Sequence, residues 1–343
     1  MHTIDELREK QALPLSIKIA LTRERIRAWV REFGEEGVYV SFSGGKDSTV
    51  LLDIVRNVCG YKEVPAVFVD IPTQYPELRE FVKTFDNTII LKPKINFFKV
   101  CEKYGFPLIS KEVSQTIWEV KNALEKGKDA PTYRMKKLNG EVMDKKRQPS
   151  VYNIPQYKFL LDAPFHISHQ CCDYLKKRPV KTFEHFEKRV PILAMMAEES
   201  FLRKQKWLKN GCNAFDSKRP MSNPMSFWTE QDVLEYIRQY DLEICSVYGE
   251  VITDDEEMGQ LTWADCGITG FEQKQPLHCT GCQRTGCVLC GFGSHMPDDK
   301  RFLLLKETHP KMYQFLDIAQ NNGYTMRQAI DWINEHGNMN IKY

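Results

Sequence analysis

The sequence has no long apolar run, no large excess of charge of one sign and no low-complexity segment. None of its apolar stretches approaches the roughly 20 residues that a membrane-spanning helix needs. Its 48 basic and 46 acidic side chains nearly balance over 343 residues, which leaves a net charge of +2. Residues 1–10 are charged and lack the apolar core of a secretory signal. These absences predict a cytoplasmic protein without a membrane partner.

The basic residues are concentrated locally. Residues 110–150 hold ten Lys or Arg against six Asp or Glu, and residues 201–219 hold six against one. Stretches of this kind are typical of a phosphate-rich partner, either a nucleotide or a nucleic acid. The alternative interpretation is a solvated charged face.

The most informative stretch begins at Val38. Residues 38–42 are β-branched and aromatic, two glycines follow, and Asp47 and Ser48 then open an apolar-periodic run. This order predicts a strand, a glycine loop and a helix. Backbone N–H groups in such a loop and the positive end of the following helix favour phosphate. The spacing differs from the common nucleotide loop, because the two glycines are adjacent and an acid follows Lys46.

Apolar strands alternate with helical patterns along the first part of the chain. Strands are predicted at 64–70, 88–91 and 190–197, and helices at 15–33, 76–85 and 230–240, the last with Thr229 as its N-cap. This alternation predicts an α/β fold with a doubly wound parallel sheet, whose ligands bind beyond the carboxyl ends of the strands. We expect a nucleotide-binding domain over 1–245 and a cysteine-rich, mainly helical region over 246–343. Residues 110–150 are predicted to be an insertion, with a helix over 111–126 and then a mobile loop.

The chain contains eleven cysteines. In a cytosolic protein clustered cysteines indicate metal or redox chemistry rather than structural disulfides. Six are clustered, as the adjacent pair Cys171 and Cys172 and as two Cys-x-x-Cys hooks between 279 and 290. The spacing of the hooks alone fits zinc and an iron–sulfur cluster equally well.

The segment Ser43-Gly44-Gly45-x-Asp47-Ser48 resembles the pyrophosphate loop of the N-type ATP pyrophosphatases, which cleave ATP between its α and β phosphates. Further segments occur in the order seen in the phosphoadenylyl-sulfate (PAPS) reductase family. They lie at 70–77, 171–172, 197–203, 224–233, 247–249 and 285–290. The resemblance covers about residues 35–295 and implies an adenine nucleotide alpha-hydrolase-like fold.

The resemblance implies roles for individual residues. The residues that would hold the phosphates of ATP with Mg²⁺ are Ser41, Ser43, Gly44, Gly45, Lys46, Asp47 and Ser48. Lys46 would stabilise the developing charge, and Asp47 would order the loop and help to place the metal. Asp70 would lie near the adenosine, and Arg203 would bind a phosphate or sulfate oxyanion, a task that suits a guanidinium.

The same resemblance extends to the cysteines. Cys171, Cys172, Cys287 and Cys290 match the ligands of the [4Fe–4S] cluster in assimilatory adenylyl-sulfate reductases. Cys279 and Cys282 are then additional, and Cys282, beside Arg284, is the predicted sulfur-accepting catalytic thiol. A zinc ribbon formed by the four downstream cysteines is the alternative, with Zn²⁺ in place of the cluster.

The C-terminal end distinguishes two functions. Those reductases attack sulfate with a cysteine in a C-terminal tail, whereas residues 335–343 contain none, and Cys266 precedes the hooks. The DNA phosphorothioation ATP pyrophosphatases are relatives that keep the loop and a cluster, and the basic insertion fits them better.

We therefore predict an enzyme that cleaves ATP to AMP and pyrophosphate and so activates an acceptor, for which DNA and RNA are the candidates. Sulfur would come from a donor protein such as a cysteine desulfurase or a thioredoxin-like protein. One alternative is a reductase that releases sulfite from an adenylylated sulfonucleotide. Another is a non-catalytic module that senses nucleotides or binds nucleic acid.

Overall fold

The computed structural model describes residues 2–257 and 275–343, so Cys266 lies outside the described residues. The α-helices are α1 Ile4–Gln11, α2 Leu15–Phe33, α3 Lys46–Asp53, α4 Pro76–Lys83, α5 Phe97–Tyr104, α6 Lys111–Glu125, α7 Thr132–Asn139, α8 Gln170–Cys172, α9 Arg178–Glu187, α10 Phe201–Asn210, α11 Glu230–Gln239, α12 Asp254–Glu257, α13 Arg301–Thr308, α14 Pro310–Tyr313 and α15 Met326–Gly337. The strands are β1 Val38–Ser41, β2 Ala66–Val69, β3 Thr88–Leu91, β4 Leu108–Ile109, β5 Val190–Ile192, β6 Asn213–Ala214, β7 Met221–Ser222, β8 Val251–Thr253, β9 Leu277–Cys279 and β10 Gly291–Phe292. None of the described helices combines the length and the apolar character that crossing a bilayer requires.

The chain divides into two structural units. The first comprises Met1–Asp70, Tyr75–Leu91 and Val180–Thr285, and the second comprises Ile71–Gln74, Lys92–Pro179 and Gly286–Tyr343. The domain boundary expected between residues 245 and 246 stays a prediction.

A six-stranded sheet forms the centre of the first unit. Its strand order is β3-β2-β1-β5-β7-β6, and all neighbours are parallel except β6 and β7. Residue Val40 on β1 pairs with Ala66 on β2 and with Ile192 on β5, so β1 lies inside the sheet. The predicted α/β fold with a parallel sheet is confirmed.

A buried ion pair joins two helices of the first unit. Lys18 on α2 donates to both carboxylate oxygens of Asp232 on α11, at 2.7 and 2.6 Å. Asp232 also accepts the backbone N–H of Thr229 at 2.6 Å, while the Thr229 hydroxyl caps the helix. The predicted helix start at Thr229 is therefore confirmed, and the ion pair fixes the position of the first turn of α11.

The second unit is mainly helical and contains the parallel strand pair β4–β10. The mobile loop expected after residue 126 is wrong in part, because residues 132–139 form α7. Arg134 on this helix donates to Glu119 at 2.6 Å and to Glu112 at 2.8 Å, and Leu138 is buried. These ion pairs and this burial stabilise a helix that local sequence did not indicate.

Candidate nucleotide site and cysteine cluster

The glycine loop follows the carboxyl end of β1, as expected for a ligand site on a parallel sheet. Gly44 has a φ of 72°, and a Cβ at this position would lie 3.0 Å from a methyl group of Val82. Both the left-handed backbone and the close approach therefore require glycine here. Ser43 and Ser48 close the loop, because their hydroxyls lie 3.0 Å apart and Ser48 donates to the carbonyl of Gly45 at 2.9 Å.

A cavity of about 240 Å³ opens beside this loop, entirely within the first unit. Its lining residues are Ser43, Gly45, Lys46, Asp47, Met196, Glu198, Glu199, Glu230, Tyr248, Gln283, Arg284 and Thr285. The cavity wall therefore combines the loop with segments from more than 150 residues further along the chain.

Lys46 is buried at the cavity wall. Its Nζ lies 2.9 Å from Oε1 of Glu230 and donates to the carbonyl oxygen of Gln283 at 2.8 Å. Its backbone N–H donates to the hydroxyl of Tyr248 at 3.2 Å. The ammonium is therefore fixed in the cavity by groups from two other segments.

Asp47 has a buried carboxylate oxygen, Oδ1, without a hydrogen-bond partner among the described residues. Burial raises the pKa of Asp47 above its ordinary value, and the charge of Lys46 opposes this shift. A buried and unpaired carboxylate oxygen is costly unless a cation or a proton neutralises it. Asp47 therefore fits a divalent cation.

Arg203 lies in the first turn of α10 and forms an ion pair with Glu199, a residue of the cavity wall. Burial lowers the pKa of Arg203, and the nearby guanidinium of Arg284 acts in the same direction. Asp70, at the end of β2, instead pairs with Arg79 at 2.6 Å and is not among the lining residues.

The structure thus brings four of the nine predicted nucleotide-binding residues to the cavity, namely Ser43, Gly45, Lys46 and Asp47. Ser41, Gly44 and Ser48 form the strand end and the loop that carry them, while Asp70 and Arg203 lie outside the lining set. Sequence reasoning did not single out Glu198, Glu199, Glu230 and Tyr248. These four residues lie in the short segments at 197–203, 224–233 and 247–249, which occur in the order seen in the family that the sequence resembles. That order was the sequence feature that could have identified them.

The four predicted cluster ligands lie in the second unit. Cys171 and Cys172 end the short helix α8, and Cys287 and Cys290 form the hook that leads into β10. Gly291 follows the hook, and a Cβ there would lie 2.7 Å from the carbonyl oxygen of Pro107, so the hook can approach β4 only with glycine at this position.

Electrostatic interactions link the four thiols. The charge of Cys287 raises the pKa of Lys176, and Cys172, Cys290 and Cys171 act in the same direction against the effect of burial. Burial raises the pKa of Cys290 to about 12, with a further contribution from Cys287. A hydrogen bond from Cys171 lowers the pKa of Cys172 to about 6. All four thiols therefore act electrostatically on the ammonium of Lys176.

Cys101 on α5 belongs to the same surroundings, although nothing in its isolated position along the sequence indicates this. Burial raises its pKa, and the charges of Cys290 and Cys287 add to this effect. Only the tertiary structure shows that Cys101 lies near the other cysteines, because α5 precedes the cysteine pair by about 70 residues.

The other hook lies in the first unit. Cys279 ends β9, and Cys282 is buried with its thiol 3.1 Å from the carbonyl oxygen of Arg284 and 3.8 Å from the hydroxyl of Tyr75. Gln283 and Arg284, which line the cavity, follow directly in sequence. The predicted sulfur-accepting thiol thus belongs to the segment that forms one cavity wall.

Comparison with known families decides the assignment of the chain. The model of the phosphoadenosine phosphosulfate reductase domain matches residues 37–143 and 130–291. The chain belongs to this family. The matched PAPS reductase domain contains the glycine loop, the cavity-lining segments and all six clustered cysteines. The predicted family and its nucleotide-binding α/β fold are confirmed, and enzymatic activity is general in this family.

Three solved structures match the chain at low sequence identity. A phosphoadenylyl-sulfate reductase from Candida auris in complex with phosphate is 15% identical, with a TM-score of 0.37 over 70% of this chain and 86% of that chain. An FMN adenylyltransferase from Candida glabrata is 10% identical, with a TM-score of 0.37 over 78% and 79% of the two chains. An NMN synthetase from Francisella tularensis is 12% identical, with a TM-score of 0.33 over 75% and 83%. No curated protein matches this PAPS reductase family member.

Proposed function

We propose that the protein cleaves ATP to AMP and pyrophosphate and so activates an acceptor for sulfur transfer. The observation that carries this proposal is the charge of the cavity wall. Four carboxylates, of Asp47, Glu198, Glu199 and Glu230, line the cavity against two cations, Lys46 and Arg284. Arg203 pairs with Glu199, so these carboxylates and cations together keep a net charge of −1, which would repel a bare polyanion. Carboxylates of this number favour a nucleotide that arrives with Mg²⁺.

The residues of the chain can perform the cleavage. Lys46 would neutralise charge on the leaving pyrophosphate, and the loop amides would donate to its oxygens. Asp47 would hold the metal with its unpaired oxygen. An oxygen of the acceptor attacks the α-phosphorus, the bond to the bridging oxygen of the β-phosphate breaks, and pyrophosphate leaves. The acceptor then carries AMP, which a sulfur nucleophile displaces.

Cys171, Cys172, Cys287 and Cys290 would hold a [4Fe–4S] cluster. Tetrahedral zinc at about 2.3 Å from each sulfur would bring its four thiolates within about 4 Å of one another. Among the described residues 2–257 and 275–343, Asp254, Glu257 and His278 form a group of potential metal ligands whose atoms lie within 4.8 Å of one another. The four cysteines do not form such a group. Four cysteine thiolates are also the usual ligand set of a [4Fe–4S] cluster, the group that the sequence resemblance implies for these four residues. When bound, such a cluster supplies one-electron chemistry.

The zinc alternative draws on Cys279 and Cys282 in the first unit and on Cys287 and Cys290 in the second. Metal analysis separates the two hypotheses. Protein purified without oxygen is expected to contain about four irons per chain and to absorb broadly near about 400 nm. Replacing Cys171 by Ser should remove most of this iron, whereas Cys59→Ser, a change at an isolated cysteine of the first unit, should leave it. About one zinc per chain and no iron would contradict the proposal.

Turnover tests the ATP chemistry. Wild-type protein with Mg²⁺, a sulfur donor and a DNA or RNA acceptor is expected to release AMP and pyrophosphate, and Asp47→Asn should abolish this release. AMP release that persists in Asp47→Asn, or no release with any acceptor, would contradict the proposal. Cys282 is the proposed sulfur carrier, and a cysteine desulfurase or a thioredoxin-like protein is the proposed donor. A cytoplasmic location is part of the same proposal.

The second candidate is reduction of an adenylylated sulfonucleotide, which the description of the matched family favours. That reaction would release sulfite and would need no divalent cation. Sulfite release from a sulfonucleotide with thioredoxin, in the presence of a chelator of Mg²⁺, would select it.

A further inference from the structure

Helix α10 begins at the nucleotide cavity. Its N-cap, Ser200, directly follows Glu198 and Glu199, two residues of the cavity wall. Arg203 in its first turn pairs with Glu199 and interacts electrostatically with Asp47. A molecule that lies along α10 therefore meets the cavity at the amino-terminal end of the helix.

The two sides of α10 differ in burial. Trp207 is buried, and its ring packs on His2 with 4.9 Å between ring centroids. Six residues that share the opposite half of the helix are exposed, namely Phe201, Leu202, Gln205, Lys206, Lys209 and Asn210. The 3.6-residue period places these six on one continuous face, about 15 Å long for a ten-residue helix.

This face combines cations with exposed apolar side chains. Of its six residues, Lys206 and Lys209 are cations and none is an acid. Phe201 is 51% exposed and Leu202 is 61% exposed in the turn next to the cavity. Lysines can neutralise phosphates, an exposed aromatic ring can stack on a base, and amide side chains can donate to either.

We infer that the exposed face of α10 binds single-stranded nucleic acid and directs it to the nucleotide cavity. The inference rests on the proposed function, in which an acceptor must reach the α-phosphate of ATP. Lys206 and Lys209 contact the phosphates, and Phe201 stacks on a base near the reacting nucleotide. A single strand is favoured over a duplex because only an unpaired base exposes its face to a side chain. An acidic protein partner would complement the lysines but would not use the aromatic ring in this way.

Fluorescence anisotropy with a labelled oligonucleotide, single-stranded or as a duplex, tests the inference. Lys206→Glu with Lys209→Glu is expected to weaken binding of the single strand at least ten-fold. The slope of log affinity against log salt should fall by about 1.4, the value for two phosphate contacts to a single strand. Phe201→Ala should weaken binding about five-fold or more without changing this slope, since stacking is not ionic.

The matched control is Lys92→Glu with Lys94→Glu. Both lysines are exposed and lie outside the two basic stretches, in the second unit, so the total charge changes equally. Equal weakening by the control and the α10 variant would overturn the inference, because binding would then follow net charge. Binding unaffected by Phe201→Ala, or a preference for duplex, would also overturn it.

A separate measurement distinguishes failure of the inference from failure of the proposed function. Binding of ATP with Mg²⁺ is measured for every variant and should stay at the wild-type value, since none of these side chains lines the cavity. If wild-type protein cleaves ATP but its oligonucleotide affinity is independent of α10, the inference fails and the proposed function stands. If wild-type protein never releases AMP, the proposed function fails whatever α10 binds.

Discussion

The contact between Lys46 and Glu230 gives a direct test of the nucleotide site. The Lys46 ammonium lies 2.9 Å from the Glu230 carboxylate, with 4% and 40% of the two side chains exposed. A phosphate oxygen that binds Lys46 must therefore displace this carboxylate or accept its repulsion. Replacing Glu230 by Gln removes the competing charge but keeps the shape of the side chain.

The magnitude follows from the geometry. Two unit charges 2.9 Å apart attract by about 6 kcal/mol at an effective dielectric constant of 20 and by about 1.4 kcal/mol in water. Glu230 is more than one-third exposed, so solvent screening brings the value to about 1 kcal/mol. This corresponds to about five-fold tighter binding of pyrophosphate to Glu230→Gln when Mg²⁺ is absent.

Isothermal titration calorimetry with sodium pyrophosphate measures this affinity. Glu243→Gln, at an exposed carboxylate beyond the end of α11, is the control and should bind as the wild type does. Repeating the titration with Mg²⁺ separates two roles of Glu230. If the carboxylate also contributes to metal binding, the gain should shrink or reverse only in Mg²⁺.

The reasoning is refuted if Glu230→Gln binds pyrophosphate no better than the wild type in buffer with a chelator. Glu230 also stands in the first turn of α11, where a negative charge stabilises the helix by about 0.3–1 kcal/mol. A thermal unfolding measurement therefore accompanies the titration. A variant that is folded at the titration temperature makes a null result decisive.

Three further predictions concern the first unit. Lys18→Met should lower the free energy of unfolding by about 3–5 kcal/mol in a urea titration, because it leaves Asp232 charged and largely buried, and adding Asp232→Asn should recover part of the loss. Tyr248→Phe should leave the backbone N–H of Lys46 without its partner and lower the free energy of unfolding by about 1–3 kcal/mol in the same urea titration. The raised pKa of Asp47 means that folded protein binds this proton more tightly than unfolded protein, so stability falls as pH rises from the ordinary value of 3.8 through the raised pKa. Binding of pyrophosphate with Mg²⁺ should rise over the same range as Asp47 ionises, and Asp47→Asn should remove that rise.

Local sequence was sufficient for the parts of the fold that depend on local patterns. The strand at 88–91 and the helix start at Thr229 were predicted with their observed limits, because a β-branched run and a capping residue act within a few positions. Helix α7 was missed, because its stability depends on ion pairs between Arg134 and two acids of α6. Those partners are 15 and 22 residues away and have no local signature.

The candidate site likewise has a part that the local sequence predicts and a part that only the fold shows. The loop at 43–48 is recognisable because the glycines, the acid and the N-cap are contiguous. The rest of the cavity wall could not be recognised from the sequence, because its residues are far apart along the chain. The hydroxyl of Tyr248, for example, accepts the backbone N–H of Lys46, which is 202 residues away in sequence. From the sequence, Glu230 is an ordinary acidic residue in the first turn of a helix. Only the fold shows that it lies beside the ammonium of Lys46.

Hydrogen bonds connect the glycine loop to the first cysteine hook. Lys46 donates to the carbonyl oxygen of Gln283, and the side-chain amide of Gln283 donates to the carbonyl oxygen of Cys279 at 2.8 Å. Gln283 takes part in both hydrogen bonds, although the residue is exposed. Because Gln283 directly follows Cys282 in the sequence, these bonds connect the segment of Cys282 to the ammonium that would bind pyrophosphate. Sulfur transfer to an AMP-activated acceptor needs this relation, because the sulfur must reach the atom that ATP has activated before water does. A nucleotide-sensing module does not require a thiol at a defined position relative to Lys46. The arrangement therefore favours catalysis over sensing.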